Sequence, residues 1–167
     1  MRRREFLMSA TAIAGLGFLA SLGFGSRRSA AEATFPVAKT EDEWRKQLTP
    51  DQFAILRQEA TERPFTSELL HNGRHGTYAC VGCGTAVYAS DTKFDSGTGW
   101  PSFWQALAGG VATSVDYDLV YPRTEVHCAT CGGHLGHVFD DGPQPTGKRH
   151  CINGIVLAFK ETAAAAG

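Results

Sequence analysis

Two short cysteine pairs constrain this chain more than any other feature. Cys80-Val81-Gly82-Cys83-Gly84 and Cys128-Ala129-Thr130-Cys131-Gly132 share one spacing, and each ends in glycine. A C-x-x-C step on a tight turn aims two sulfurs at one point, and the trailing glycine allows the positive φ such a turn needs. Two turns of this kind facing each other make a tetrahedral four-sulfur cage, the usual structural zinc site. The spacing also admits two disulfides, two redox pairs, or an iron site of the rubredoxin kind. One structural Zn2+ on Cys80, Cys83, Cys128 and Cys131 is the first expectation, and a closed site of that type supplies stability rather than chemistry.

The segments around the pairs set the fold class. Residues 40–61 read as helical. Thr40 with Glu43, and Thr49 with Gln52, have capping-box spacing, and Pro50 then falls at a first helical position. Phe53, Leu56 and Ala60 share one face of the second helix. Beyond Pro64, glycine, proline, aspartate and serine recur every few residues and leave only short segments between them. Residues 77–80, 85–89, 111–117, 124–128, 138–139 and 151–159 read as strands. The last is apolar on both faces, which predicts one central strand. The expected fold is mainly β, with two antiparallel sheets in a tent-like or barrel-like arrangement, short N-terminal helices and a four-cysteine zinc site.

The N-terminal 33 residues differ in kind from the rest. A basic start, an apolar stretch over residues 6–24 and Ala31-Glu32-Ala33 give the three-part layout of a signal peptide. Arg3-Arg4-Glu5-Phe6-Leu7 resembles the signal of the twin-arginine export route. The competing reading is an uncleaved membrane anchor, for which the stretch is long enough but weakly apolar. Cleavage would make Thr34 the first residue of a domain 34–167, with its core at about 40–160, released into the periplasm and no longer membrane-bound. The whole chain has 16 basic and 17 acidic side chains; residues 1–33 hold five arginines and two glutamates, so 11 basic and 15 acidic remain beyond them. No basic patch or basic helix is present, which argues against a nucleic-acid partner.

The fifth cysteine, Cys151, has no partner left. It is either a buried passenger or a reactive thiol. Lys148, Arg149 and His150 precede it, and Arg149 shares its face in an extended chain. A nearby cation favours the thiolate, the nucleophilic form. Upstream, His134 and His137 lie among glycines directly after the second cysteine pair, and they suit the role of acid or hydrogen-bond donor. A third cluster, Asp95 to Trp104, carries Trp100 on a glycine-rich loop beside Pro101. There an indole is better placed to floor a pocket than to fill a core.

Four segments, CVGCG, KFDSGTGWPSFW, CATCGGHLGHVFDDGP and RHCING, together resemble the methionine-R-sulfoxide reductases, also called the methionine sulfoxide reductase B family. The similarity extends over residues 40–160. The resemblance implies a zinc-bearing fold of two antiparallel sheets and a repair activity against oxidative damage. It implies that Cys151 is the nucleophile and passes through a sulfenic acid. His134, His137 and Asn153 match residues that bind and polarise the sulfoxide oxygen. Trp100 matches the aromatic that receives the S-methyl group, and Arg149 an arginine beside the nucleophile. Phe103, on the same loop as Trp100, is the second expected substrate contact. The implied partners are an oxidised protein or peptide and a reducing thiol, with the chain acting as a monomer.

The chain departs from the family pattern at Thr98, where many members carry a resolving cysteine. Regeneration is therefore expected from an external thiol, either a thioredoxin-like protein or a small molecule. His150 stands where an aromatic is common and Gly154 where serine is common. Two rival classes remain: a zinc-ribbon binding module, which leaves the Cys151 cluster unexplained, and a rubredoxin-like electron carrier.

Overall fold

The computed structural model of the chain describes residues 35–117 and 121–162. The signal-like stretch, the cleavage position before Thr34 and the Ala-rich tail lie outside the described residues. Among the described residues, no helix is long and apolar enough to cross a membrane.

Two short helices come first, α1 (Glu41–Gln47) and α2 (Pro50–Gln58). Both capping boxes form. The Glu43 carboxylate accepts the Thr40 amide at 2.8 Å while the Thr40 hydroxyl accepts the Glu43 amide at 3.3 Å. Thr49 and Gln52 exchange the same bonds at 3.1 and 3.2 Å. Each box satisfies amides that helix geometry orphans, worth about 1 kcal/mol. The helical run stops at Gln58, short of the predicted residue 61, because Glu59 turns left-handed at φ 57°.

Among the described residues nine strands follow: β1 (Gly76–Cys80), β2 (Ala86–Ala89), β3 (Lys93–Phe94), β4 (Ser102–Phe103), β5 (Val111–Asp116), β6 (Arg123–Cys128), β7 (His134–Phe139), β8 (Arg149–Ile152) and β9 (Leu157–Glu161). They form two antiparallel sheets, ordered β2-β1-β9 and β3-β4-β8-β7-β6-β5. The mainly β expectation with two antiparallel sheets is therefore met. Tyr78, Tyr88, Phe103, Leu135, Val126, Ile152 and Val156 are fully buried in the core. Phe103 stacks on Tyr88 at 4.3 Å and meets Tyr78 edge-on at 5.0 Å.

Three strand expectations need correction. Residues 151–159 are not one central strand. A 3-10 turn, Gly154–Val156, divides them into β8, inside the larger sheet, and β9, at the edge of the smaller one. The turn is held by the Glu62 carboxylate, which accepts the amides of Gly154 at 2.6 Å and Ile155 at 3.0 Å. Both faces are apolar because the chain crosses between sheets through the core. Strand β7 begins at His134 rather than at Val138. Its glycines suggest a loop, but Gly136 is required by close packing: a Cβ there would sit 2.0 Å from the Cys151 carbonyl oxygen. Strands β3 and β4 have two residues each, too short for an alternating pattern to reveal.

The cysteine pairs join the two sheets. Cys80 ends β1 and Cys128 ends β6, and the two turns are built alike. The Gly84 amide bonds the Cys80 carbonyl at 2.8 Å and the Gly132 amide bonds the Cys128 carbonyl at 2.9 Å. Gly84 and Gly132 take φ values of 77° and 65°, the conformation for which glycine was expected. The helices clamp this junction. Gln47 donates to the Gly82 carbonyl at 2.7 Å, and Arg57 donates to the Cys131 carbonyl at 2.9 Å. Trp44 and Leu56, both buried, cover it; an added Cβ at Gly133 would come within 2.7 Å of Leu56.

Leu56 thus packs helix α2 against both cysteine turns. Leu56→Ala should lower stability by about 2–5 kcal/mol, the cost of a buried leucine cavity. Equilibrium urea denaturation measures it; a loss below about 1 kcal/mol would mean that the helices do not brace the junction.

Candidate active site

Strand β8 lies inside the larger sheet, and register across that sheet assembles the site. Cys151 faces Ser102 on β4 and His137 on β7. His137 in turn faces Glu125 on β6, and Glu125 faces Ser114 on β5. Directly opposed residues project from the same face of a sheet. One row therefore carries a thiol, an imidazole and a carboxylate on adjacent strands.

Cys151, His137, Trp100 and Asn153 line a cavity of about 140 Å³, together with Thr61, Arg123, Gly136 and Phe139. That is well below the roughly 300–1,000 Å³ of pockets for drug-sized ligands, and it suits the end of one side chain. A larger groove of about 690 Å³ runs between α2 and the β8–β9 turn. It shares only Thr61 with the cavity, and neither cysteine nor histidine lines it. The reactive groups belong to the smaller space.

The Cys151 thiol is half-buried, and burial pushes its pKa above the ordinary thiol value. Contact with the Thr98 hydroxyl, 3.8 Å away, and the Arg149 charge offset this only in part. Arg149 also serves other partners: two 2.8 Å bonds tie it to Asp141, and its guanidinium lies 4.4 Å over the Phe139 ring. The other basic neighbours are directed away from Cys151. Lys148 pairs with Asp140, and His150 bonds the Tyr88 hydroxyl at 3.1 Å. Burial thus favours the protonated thiol, and the expected thiolate-promoting cluster reduces to Arg149 alone.

Both histidines are held by carboxylates. His137 Nε2 bonds Asp116 Oδ2 at 2.7 Å, and His134 Nδ1 bonds Glu125 Oε1 at 2.8 Å. Burial lowers the His137 pKa against the pull of Asp116. Burial alone would raise the Glu125 pKa, but hydrogen bonds from His127, His134 and Ser114 hold it well below the carboxylate range. His134 is 3% exposed and meets the His137 ring edge-on at 5.3 Å; its Nε2 has no hydrogen-bond partner among the described residues. It does not line the cavity.

Asn153 lines the cavity with its amide largely engaged. Its Nδ2 donates to the Leu135 carbonyl at 3.0 Å, and its Oδ1 accepts the Glu62 amide at 2.9 Å. One Nδ2 hydrogen remains. Trp100 lines the cavity and donates its indole N–H to the Glu62 carbonyl at 3.1 Å. Phe103 is a correction. It pairs with His150, one residue from Cys151, so alternation turns it to the opposite face and into the core with no exposure. It does not contact the cavity.

Sequence reasoning missed Glu62, Arg123, Asp116 and Glu125. Glu62 holds Trp100, Asn153 and the β8–β9 turn at once, from a segment with no motif. For the strand residues a signal was present: Arg123, Glu125 and His127 are ionisable at every second position, an unusual face for a strand.

The four remaining cysteines lie apart from this row. Among the described residues all five cysteines are free, which sets aside the disulfide reading. The four sulfurs all fall within 4.8 Å of one another, with Cys80–Cys131 at 3.8 Å and Cys83–Cys128 at 3.5 Å. Metal–sulfur bonds of about 2.3 Å in a tetrahedron require sulfur separations of roughly 3.8 Å, so the donor set fits a metal ion. The two cysteine turns therefore make a site able to hold one.

Fold and site together define a two-sheet β protein with a thiol cavity on one sheet and a separate four-cysteine cluster. The SelR domain pattern matches residues 48–161. A peptide methionine sulfoxide reductase MsrB from Bradyrhizobium diazoefficiens is 56% identical over 125 residues, 74% of this chain and 90% of that protein. The protein of the same name from Methanosarcina barkeri is 53% identical over 125 residues, 74% of this chain and 88% of that one. The rice chloroplastic peptide methionine sulfoxide reductase B1 is 53% identical over 129 residues, 77% of this chain but 60% of its own length. The chain belongs to the methionine sulfoxide reductase B family, and it is an oxidoreductase of that class.

The buried thiol generates a prediction. In the substrate-free enzyme, alkylation of Cys151 by iodoacetamide should reach half its maximal rate at a pH above about 8.5, the value of an ordinary cysteine. Arg149→Ala should move the midpoint higher still, since it removes a charge that favours the thiolate. Site-resolved mass spectrometry measures both, and a midpoint below about 7 would show a preformed thiolate instead.

Proposed function

We propose that the chain reduces the R epimer of methionine sulfoxide in oxidised proteins and peptides, with Cys151 as the nucleophile. The observation that carries this reading is the facing pair Cys151 and His137 at a cavity lined by Trp100. A sulfoxide sulfur becomes electrophilic when its oxygen is pulled on. His137, with His134 edge-on to its ring and the remaining Asn153 N–H, supplies that pull and stabilises charge developing on oxygen. Trp100 offers an apolar face to the S-methyl group. Arg149 offsets part of the cost of charge on Cys151 as the thiol gives up its proton.

The step balances without any further reagent. The Cys151 sulfur bonds the sulfoxide sulfur and the thiol proton passes through His137 to oxygen; the hydroxyl then moves to the Cys151 sulfur as the new S–S bond and the S–O bond to methionine break, so methionine leaves and Cys151 becomes a sulfenic acid. The resting thiol already holds the one proton required. In the second half, two external thiols reduce the sulfenic acid, releasing water and a disulfide. Thr98 sits beside Cys151 where a resolving cysteine would act, and the other four cysteines would be held on metal. The reductant is then a thioredoxin-like protein or a small thiol. Cys80, Cys83, Cys128 and Cys131 would hold one Zn2+, which as a closed site supplies stability and takes no part in the reaction. The layout of residues 1–33 supports export by the twin-arginine route and a periplasmic site of action.

An epimer-resolved assay on peptide methionine sulfoxide, with dithiothreitol as reductant, tests the reading. The R epimer alone should be reduced. Cys151→Ser should abolish turnover with metal content and melting unchanged, and His137→Ala should lower the rate by roughly 10²–10⁴-fold. Turnover by the Cys151 variant, or reduction of the S epimer, would overturn it. Elemental analysis of the same protein should find zinc in a colourless sample; red ferric iron would replace zinc with a rubredoxin-like centre.

A further inference from the structure

We propose that Asp116 is a positioning residue for His137, fixing its ring through Nε2 so that Nδ1 is the nitrogen left for substrate. This rests on the reading of His137 as the group that carries the Cys151 proton.

Asp116 ends strand β5, at the edge of the larger sheet and two strands from His137. Its side chain is nevertheless only 8% exposed. A buried carboxylate costs several kcal/mol unless donors compensate it. Oδ2 alone accepts two of them, His137 Nε2 at 2.7 Å and Arg123 Nη2 at 2.5 Å. Arg123, opposite Asp116 on β6, thereby fixes the carboxylate that fixes the imidazole. Both His137 and Arg123 line the cavity.

A carboxylate on Nε2 selects the tautomer with hydrogen on that nitrogen, leaving a lone pair on Nδ1. Nδ1 can then take the thiol proton and donate it to the sulfoxide oxygen, while Asp116 stabilises the imidazolium formed in between. The same logic governs a carboxylate behind a catalytic histidine in hydrolases. The surroundings of His137 give Asp116 this task by default. Burial, the Arg123 charge and the His134 ring all disfavour a proton on His137, and Asp116 alone favours it. Glu125 faces His137 from β6 but bonds His134, His127 and Ser114 instead. Cys151 faces it from β8 as a neutral thiol, and Arg149 on that strand is bound to Asp141.

The test is a double-mutant cycle on the full enzyme with R-sulfoxide peptide. Asp116→Asn should lower kcat roughly tenfold or more, part of the 10²–10⁴-fold that a general acid contributes, with KM nearly unchanged. In a His137→Ala background it should have no further effect, because it acts through that ring. Asp116→Glu should restore part of the loss. Equal losses in both backgrounds, or an unimpaired Asp116→Asn where His137→Ala is crippling, would overturn this inference alone. A silent His137→Ala would overturn the reading it rests on, and this inference with it. Nitrogen-15 NMR of the wild-type imidazole decides the matter even if Asp116 variants fail to fold. Hydrogen on Nε2 is the expected state, and hydrogen on Nδ1 in the neutral ring would overturn the proposal.

Discussion

The four-cysteine junction is the constraint on which the other features depend. The larger sheet and the smaller one each end a strand in a cysteine turn, and the two turns meet. Strand β7 starts three residues after Cys131, so the junction anchors the strand that carries His134 and His137. Gly136 then brings β7 against β8 so closely that any side chain there would strike the Cys151 carbonyl. A register slip would move every side chain to the opposite face. Anchor and close approach together put His137 opposite Cys151. The four-cysteine cluster thus sets the geometry of the Cys151–His137 pair.

Burial determines how that pair works. Burial, the largest cause in each case, favours the neutral thiol at half-buried Cys151 and the neutral ring at half-buried His137. In the proposed reaction the thiol proton is held in reserve and delivered when a substrate presents an oxygen to receive it. The carboxylates behind the histidines, Asp116 and Glu125, keep both rings oriented in the absence of substrate. The small cavity admits one side chain end, which matches a group carried on a polypeptide.

The sequence made the cysteine junction and the helix caps legible, and it singled out Cys151 as the thiol outside the two pairs. These depend on local spacing, which a sequence displays directly. Thr40 and Thr49 cap because the bonds lie within one helical turn, and the C-x-x-C-G turns close on their own backbone. What escaped notice depends on pairing between distant strands. Phe103 was expected at the substrate because it shares a loop with Trp100, yet strand alternation on β4 turns it into the core. The break between β8 and β9 was hidden because Glu62, far away in sequence, holds the turn there. Asp116 and Arg123 carry no motif, and only the antiparallel register brings them to His137.

Cys151 as a nucleophile that stops at the sulfenic acid is the central claim. The most direct test is a single turnover without reductant, followed by site-resolved mass spectrometry. One equivalent of R-sulfoxide peptide should yield about one methionine per chain, with one added oxygen on Cys151 that a sulfenic-specific reagent traps. No new intramolecular disulfide should form. A disulfide from Cys151 to any of the other four cysteines, or methionine formed with Cys151 unmodified, would contradict the account.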